Sequence, residues 1–92
     1  SGAALLASYP NPFNPSTLLS YRLAAPGRLR LSVHDGQGRL LRCLAEGWQE
    51  AGEHSITWDG RDESGRSLPA GAYFYRLAQR PGLSAARLIR LP

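Results

Sequence analysis

The amino-acid sequence predicts an all-β protein, an antiparallel sandwich or small barrel of six or seven short strands. Several segments alternate apolar and polar residues with a period of two, as strands do when one face meets a core and the other meets water. Turn-forming residues separate these segments at short intervals. No segment has the apolar spacing of an amphipathic helix, and the one ambiguous run, 40–44, is shorter than most helices.

The alternation places each element in order. Residues 1–8 are interpreted as a linker or a short edge strand, ahead of a single domain over residues 9–92. Strands are expected at 19–23, 29–33, 40–44, 54–58, 73–77 and 87–91. Turns are expected at 26–27, 35–38 and 81–82, a loop that holds Trp48 between Gly47 and Gly52, and a long polar loop from 59 to 71.

A proline-rich segment, residues 9–16, precedes the first clearly alternating strand. Its three prolines fix φ and remove backbone donors, so neither a helix nor a central strand fits it. We expect a stiff, extended lead-in with two apolar side chains, Tyr9 and Phe13. Phe13 is expected to cover one open end of the sandwich.

Two sets of residues are assigned structural roles. Alternation places these side chains on the inner faces of the strands, as the core: Tyr21, Leu31, Val33, Ile56, Trp58, Tyr73 and Tyr75. Turns are assigned to residues that tolerate positive φ or accept bonds from nearby amides: Asp35, Gly38, Asp59, Gly60, Asp62, Gly65 and Gly71. Trp58 is expected to anchor the core, because burial of so large an aromatic side chain dominates the energetics of a small domain.

Composition limits the classes of function. At 92 residues, with 42% hydrophobic and 20% charged residues, the chain suits one globular domain and shows no sign of disorder. Its apolar runs are too short for an integral membrane segment. All 11 basic residues are arginines, the net charge is +4, and the arginines are scattered along the chain. Nucleic acid is therefore not expected as a partner, since its binding sites are usually basic patches or runs.

No residue pattern points to an enzyme. His34 and His54 fall on different predicted strands, and no serine lies in a nucleophile elbow or beside a suitable base. Cys43 is the only cysteine, so it has no partner for an intrachain disulfide. We predict no catalytic residues and no cofactor.

A calcium site and a sugar site were the remaining candidates. Asp59, Asp62 and Glu63 crowd one glycine-rich loop, but their spacing does not match the twelve-residue calcium loop, so we interpret them as turn acceptors and predict no metal. Trp48 and Phe74 are expected to be exposed and could stack on sugar rings. A carbohydrate-binding module therefore stays open as an alternative.

Five motifs occur in a fixed order along the chain. They are YPNPFNPST from residue 9, Asp35 with Gly38-Arg39, AGEH from residue 51, WDGRD from residue 58 and GAYFYRL from residue 71. In this order and spacing they resemble the C-terminal sorting domain of proteins exported by the type IX secretion system. The same pattern extends to the immunoglobulin-like domain of the flagellar hook-capping scaffold protein. The proline-rich string is the most specific part of a resemblance that covers nearly all of residues 9–91.

This resemblance implies a seven-stranded immunoglobulin-like sandwich and a role in targeting. In the sorting family the domain stands last in a secreted or surface protein and is read by the outer-membrane secretion machinery. It is then clipped off, and the cargo is attached to surface lipopolysaccharide. The implied location of this chain is secreted or at the cell surface, by way of the periplasm and outer membrane.

We interpret the chain as a non-catalytic targeting module that docks by contact with another protein. One mechanism is strand addition to an edge strand that offers unpaired backbone groups. The last strand is the candidate, with these docking residues: Arg87, Leu88, Ile89, Arg90 and Leu91. The resemblance also implies a basic residue on this strand, at Arg87. The alternative is a structural immunoglobulin-like module of a hook-capping or other extracellular scaffold.

Overall fold

A computed structural model describes residues 3–79 and 82–91, and within them the chain forms seven β-strands. They are β1 (Ala3–Tyr9), β2 (Thr17–Leu23), β3 (Gly27–His34), β4 (Leu40–Gln49), β5 (Gly52–Trp58), β6 (Gly71–Gln79) and β7 (Gly82–Arg90). No helix in this part of the chain is long and apolar enough to cross a membrane. The predicted turn at 81–82 lies in part outside the described residues.

Two strands, β4 and β7, extend well beyond their predicted bounds, and β7 begins at Gly82 rather than at residue 87. β4 is longer than expected, because it continues through Gly47 and Trp48 to Gln49. The prediction that Trp48 lies in a loop is therefore wrong. Gly47 has a φ of 119° and is accommodated within the strand. At the other end of the chain, Ala3–Tyr9 forms an edge strand with an irregularity between Leu5 and Ser8.

The strands form two antiparallel sheets. The three-stranded sheet has the order β1-β2-β5, and the four-stranded sheet has the order β4-β3-β6-β7. β3 is a central strand, in register with β4 through Leu31↔Ala45 and with β6 through Leu31↔Leu77. Side chains on the inner faces fill the space between the sheets, because successive residues of a strand point to opposite faces.

The core is a layer of aromatic and aliphatic side chains. Trp58 is fully buried and lies against two other rings, Phe13 at a centroid distance of 5.5 Å and Tyr73 at 5.7 Å. Of the predicted core residues, six are buried, and Ile56 is only half-buried at the margin of the cluster. Burial of a large aromatic side chain contributes several kcal/mol to stability. Its truncation to alanine typically lowers the free energy of unfolding by about 3–5 kcal/mol.

The polar tips of the buried aromatics are bonded. The Trp58 Nε1–H donates to the Arg61 carbonyl at 3.0 Å, and the Tyr73 hydroxyl donates to the Pro69 carbonyl. A tyrosine that bonds back to the chain a few residues upstream is a recurring device where a β-sandwich turns into a new strand. Burial raises the pKa of Tyr73 above its ordinary value. These bonds position the 59–71 loop against the start of β6.

Candidate docking surfaces

β7 forms one edge of the four-stranded sheet and carries most of the residues that the sequence assigns to docking. Their side chains have different environments. Leu88 is fully buried in the core, Ile89 and Arg90 are half-buried, and Arg87 and Leu91 are exposed. A partner can therefore contact Arg87 and Leu91 directly, but Leu88 is available only if the domain opens.

The proline-rich segment occupies the outer edge of β7. The Phe13 N–H donates to the Ile89 carbonyl at 2.9 Å, and the Leu91 N–H donates to the Phe13 carbonyl at 2.8 Å. The Asn11 side chain adds two bonds: Oδ1 accepts from the Ile89 N–H at 3.0 Å and Nδ2 donates to the Arg87 carbonyl at 3.1 Å. The expectation of an unpaired edge at residues 87–91 is therefore wrong, because residues 11–13 pair with it. We call residues 9–16 the proline clasp.

The proline clasp is held in place from two sides. The Phe13 side chain is buried in the core. Arg90 donates from Nη1 to the Pro15 carbonyl at 2.9 Å and from Nη2 to the Ser67 hydroxyl at 3.2 Å. Gly60 packs directly against this guanidinium, where a Cβ would overlap it. Arg90 thus links the clasp, β7 and the 59–71 loop, which gives it a structural role.

Two loops share the pattern Asp-x-x-Gly-Arg and the same hydrogen bonds. In residues 35–39, Asp35 Oδ1 accepts from the N–H groups of Gln37 and Arg39 at 2.9 and 3.0 Å, and Oδ2 accepts from the Arg39 Nε at 2.8 Å. Gly38 has a φ of 85°, a value that L-residues with a Cβ rarely adopt. The bond from the Arg39 amide is the main cause that lowers the pKa of Asp35.

Residues 62–66 repeat this loop between β5 and β6. Asp62 Oδ1 accepts from the N–H groups of Ser64 and Arg66, both at 3.0 Å, and Gly65 has a φ of 88°. The Ser64 hydroxyl also donates to Oδ1 at 2.8 Å, and this bond is the main cause that lowers the pKa of Asp62. In both loops the ionised aspartate satisfies backbone amides that would otherwise face water.

The second loop has an additional role, because it covers part of the outer edge of β4. The Glu63 N–H donates to the Leu41 carbonyl at 2.9 Å, and Glu63 Oε1 accepts from the Cys43 N–H at 3.0 Å. Asp59 reinforces this contact, since its Oδ1 lies 3.2 Å from the Arg42 Nη1. Sequence reasoning treated Glu63 only as a candidate metal ligand and missed this edge contact.

The carboxylates of the 59–71 loop are committed to hydrogen bonds rather than gathered around one point. Asp59 Oδ1 also accepts from the Arg61 N–H at 3.1 Å. Within residues 3–79 and 82–91, no three side chains of His, Cys, Asp or Glu are grouped so that they could hold a metal ion.

One serine does lie beside a histidine, contrary to the sequence prediction. Ser32 Oγ is 2.8 Å from His34 Nε2, because residues two apart on a strand share a face. The other ring nitrogen of His34 faces the Gly38 carbonyl at 3.3 Å rather than an orienting carboxylate. Ser32 and His34 are both buried, so this pair stabilises the outer face of β3 and lacks the access that a nucleophile requires. His54 is elsewhere, stacked on Tyr21 with a centroid distance of 5.4 Å.

The aromatic residues that suggested sugar binding are far apart. Trp48 is paired with Arg28 on β3, and Phe74 is paired with His34 on the same strand. Six residues along a strand correspond to about 20 Å. Trp48 is 62% exposed and donates weakly to Glu50, while Phe74 is half-buried. The two side chains therefore do not form one stacking platform.

The arrangement of the strands and the aromatic core define a class of protein. The first, second and fifth strands face the third, fourth, sixth and seventh, around a core of aromatic residues with a bonded tyrosine at the start of β6. This is an immunoglobulin-like sandwich. The fold class predicted from the sequence is confirmed by the match to solved structures of the same architecture.

The family follows from the sequence match. Residues 15–82 match the model of the FlgD Ig-like domain, and the chain belongs to that family. The basal-body rod modification protein FlgD of Salmonella typhimurium is 37% identical over 46 residues, which are 50% of this chain. The match spans only 20% of the length of that relative.

Solved structures from two groups of proteins share the fold. PorU of Porphyromonas gingivalis aligns with 97% of this chain and 9% of its own, with a TM-score of 0.76 and 20% identity. PorZ of the same organism aligns with 97% of this chain and 12% of its own, with a TM-score of 0.66 and 18% identity. FlgD of Xanthomonas campestris aligns with 96% of this chain and 64% of its own, with a TM-score of 0.64 and 23% identity. At these identities the likeness shows the fold alone.

Proposed function

We propose that this chain is a non-catalytic immunoglobulin-like targeting module, which directs an exported protein through the outer membrane to the cell surface. Its partner in this proposal is the protein machinery of the outer membrane, and surface lipopolysaccharide is the acceptor in a later processing step. The similarity to PorU and to PorZ, which is described as an essential surface component of the type IX secretion system, supports this role.

The observation that carries the proposal is the proline clasp. The string that gives the resemblance to sorting domains is built into the fold, because Asn11 and Phe13 pair with β7 and Phe13 fills the core. The module is thus presented to a partner with the edge of residues 87–91 closed. Recognition then depends on exposed side chains such as Arg87 rather than on strand addition at this position.

A second candidate is a structural module of a flagellar or other extracellular scaffold. The family match supports it, since residues 15–82 match the FlgD Ig-like domain and one solved FlgD structure is described in terms of hook capping. In this role the domain contributes structural contacts to an assembly and carries no sorting signal.

A fusion experiment separates the two candidates. The chain is attached to the C-terminus of a neutral cargo with a signal peptide, in a host with a type IX system, and surface cargo is measured by protease accessibility. We expect delivery to the surface. Removal of the last residues is a poor test, because Leu88 is buried and its loss would unfold the domain.

Charge reversal at one exposed position gives the sharper variant. Arg87→Glu should reduce surface delivery, while a solvent-exposed change of this kind alters stability by less than about 0.5 kcal/mol. Arg66→Glu, at an exposed arginine of the second Asp-x-x-Gly-Arg loop, makes the same charge change as a control. If the intact fusion stays in the periplasm, the targeting proposal fails and the scaffold candidate is the better one.

A further inference from the structure

The outer face of the four-stranded sheet carries a line of arginines. Arg28 and Arg30 lie on β3, Arg76 on β6 and Arg87 on β7, and all four are exposed. Because alternate residues of these strands, such as Leu29 and Leu31, are buried in the core, the arginines share the opposite face. We call this surface the arginine face.

The strand register sets the spacing of the arginine face. Arg76 pairs with Ser32 and Arg30 pairs with Ala78, so Arg30 and Arg76 are diagonal neighbours on adjacent strands. Arg87 pairs with Phe74 in the same way and is diagonal to Arg76. Diagonal neighbours and residues two apart on one strand are both about 7 Å apart. The four arginines therefore cross three strands as a continuous row, although the residues are distant in sequence.

These arginines differ from the others in the absence of acidic partners. Five arginines form ion pairs with carboxylates, namely Arg22, Arg39, Arg42, Arg61 and Arg66. In residues 3–79 and 82–91, none of the four arginines of the arginine face has such a partner. Glu46 is the one carboxylate that the described parts of β3, β4, β6 and β7 contain, and it lies opposite Arg30 in the register of β3 with β4, without an ion pair between them. The sheet face is thus strongly basic in a protein whose other charges are largely paired.

Apolar side chains border the basic row. Trp48 and Leu83 are 62% and 67% exposed, and they lie near the same end of the sheet on its two edge strands, since Trp48 pairs with Arg28 and Leu83 pairs with Ala78. Arginine and tryptophan beside exposed aliphatic residues, with few acids, is a composition typical of protein interfaces. A second copy of this chain does not fit, because a two-fold contact through this face would bring arginines against arginines. Nucleic acid fits less well, because no exposed aromatic residue lies within the row.

We propose that the arginine face docks an acidic surface of a partner protein. The guanidinium groups of the row would bind carboxylates through bidentate hydrogen bonds. Trp48 and Leu83 would be buried at the border of the contact. This proposal rests on the proposed function as a docking module. It names the surface that docks and the chemistry of the partner.

The test is binding of labelled poly-L-glutamate to the purified chain at low salt, followed by fluorescence anisotropy. Arg30→Gln combined with Arg76→Gln should weaken binding about tenfold, because two adjacent charges of the row are lost. The matched control combines Arg39→Gln with Arg66→Gln, which removes the same net charge from arginines already paired with Asp35 and Asp62. It should change the affinity by less than about threefold. Circular dichroism of both variants verifies that they are folded.

Each other outcome contradicts the proposal. Equal losses in the two double variants would mean that net charge, and no particular face, governs binding. Tighter binding of oligothymidine or of phosphatidylglycerol vesicles through Arg30 and Arg76 would assign the face to nucleic acid or to a lipid surface instead. The binding assay is independent of export. If the fusion stays in the periplasm while poly-L-glutamate binds the arginine face, only the proposed function is overturned. If the fusion reaches the surface but poly-L-glutamate does not bind this face, only this inference is overturned.

Discussion

The two edges of the four-stranded sheet are both covered, but by different chemistry. At β7 the cover is the proline clasp, whose bonds come from the backbone of Phe13 and the amide of Asn11. At β4 the cover is the 59–66 part of the 59–71 loop, whose side-chain contacts come from the carboxylates of Asp59 and Glu63. Uncovered edges can pair with other chains, so both devices protect the sandwich from uncontrolled strand addition.

The difference lies in how each cover is anchored. The clasp inserts a buried ring into the core, so its removal would open a cavity beside Trp58. The β4 cover rests on exposed polar groups and on a turn organised by Asp62. We therefore expect the clasp to open only with the domain, and the β4 cover to open locally and to respond to pH.

Phe13→Ala tests this contrast with the largest expected effect. Loss of a buried aromatic ring typically costs about 3–5 kcal/mol in free energy of unfolding, which would lower the melting temperature of so small a domain by more than about 10 °C. Tyr9→Ala is the matched control in the same clasp, since Tyr9 is 80% exposed, and it should change stability by less than about 0.5 kcal/mol. Thermal melts that show similar shifts for the two variants would mean that the clasp is not anchored by Phe13.

Asn11→Ala and Glu63→Ala compare the two covers directly. Asn11 makes two side-chain bonds to the β7 edge, and Glu63 makes one to the β4 edge. At about 0.5–1.5 kcal/mol for each net hydrogen bond, Asn11→Ala should be the more destabilising variant in urea unfolding. Hydrogen exchange should locate the effects, at the Ile89 amide for Asn11→Ala and at the Cys43 amide for Glu63→Ala.

Glu63→Gln is the conservative variant for that comparison, since it keeps an oxygen acceptor for the Cys43 amide. It should retain most of the protection that Glu63→Ala loses. If Cys43 exchanges equally fast in both variants, the Glu63 side chain does not cover β4.

The interior of the fold could be predicted from local pattern, and its edges could not. Strand alternation places Trp58, Tyr73 and Tyr75 inward because side chains repeat with period two, and all three are buried. The pairing of Asn11 with β7 joins residues that are 76 and 78 positions apart, so no local pattern could reveal it.

The arginine face, like the edge covers, results from strand pairing between residues that are distant in the sequence. Arg30, Arg76 and Arg87 look scattered in the sequence and become neighbours only through the registers of β3 with β6 and of β6 with β7. One signal was present in the sequence and was missed: the pattern Asp-x-x-Gly-Arg occurs twice, at 35–39 and 62–66. Two occurrences of one turn pattern would have predicted two loops of the same geometry.

The smallest expected effect is a difference in acid sensitivity between the two covers. The pKa of Asp62 is lowered in the folded protein, first by the Ser64 hydroxyl and then by the Arg66 amide. Its contribution to stability is therefore fully present above the ordinary aspartate pKa of 3.8 and is lost as the pH falls through the lowered folded value. Because Glu63 follows Asp62 in this turn, protection of the Cys43 amide should fall in acid before protection of Ile89, whose acceptor on Asn11 does not titrate.

Asp62→Asn provides the control for this prediction. Asparagine keeps an oxygen at the Oδ1 position for the Ser64 and Arg66 amides but carries no charge to lose. Asp35→Asn makes the same change in the 35–39 loop, where the pKa of Asp35 is also lowered, and where no residue of the loop plays the part of Glu63 at β4. Hydrogen exchange is measured from neutral pH to below pH 3.8 and corrected for intrinsic rates. The acid-dependent loss of Cys43 protection should be larger in wild type and Asp35→Asn than in Asp62→Asn, because Asp62→Asn removes the Asp62 charge and leaves the Glu63 carboxylate as the acceptor. Parallel loss at Cys43 and Ile89 in all three proteins would mean that acid unfolds the whole domain and that the β4 cover has no separate response.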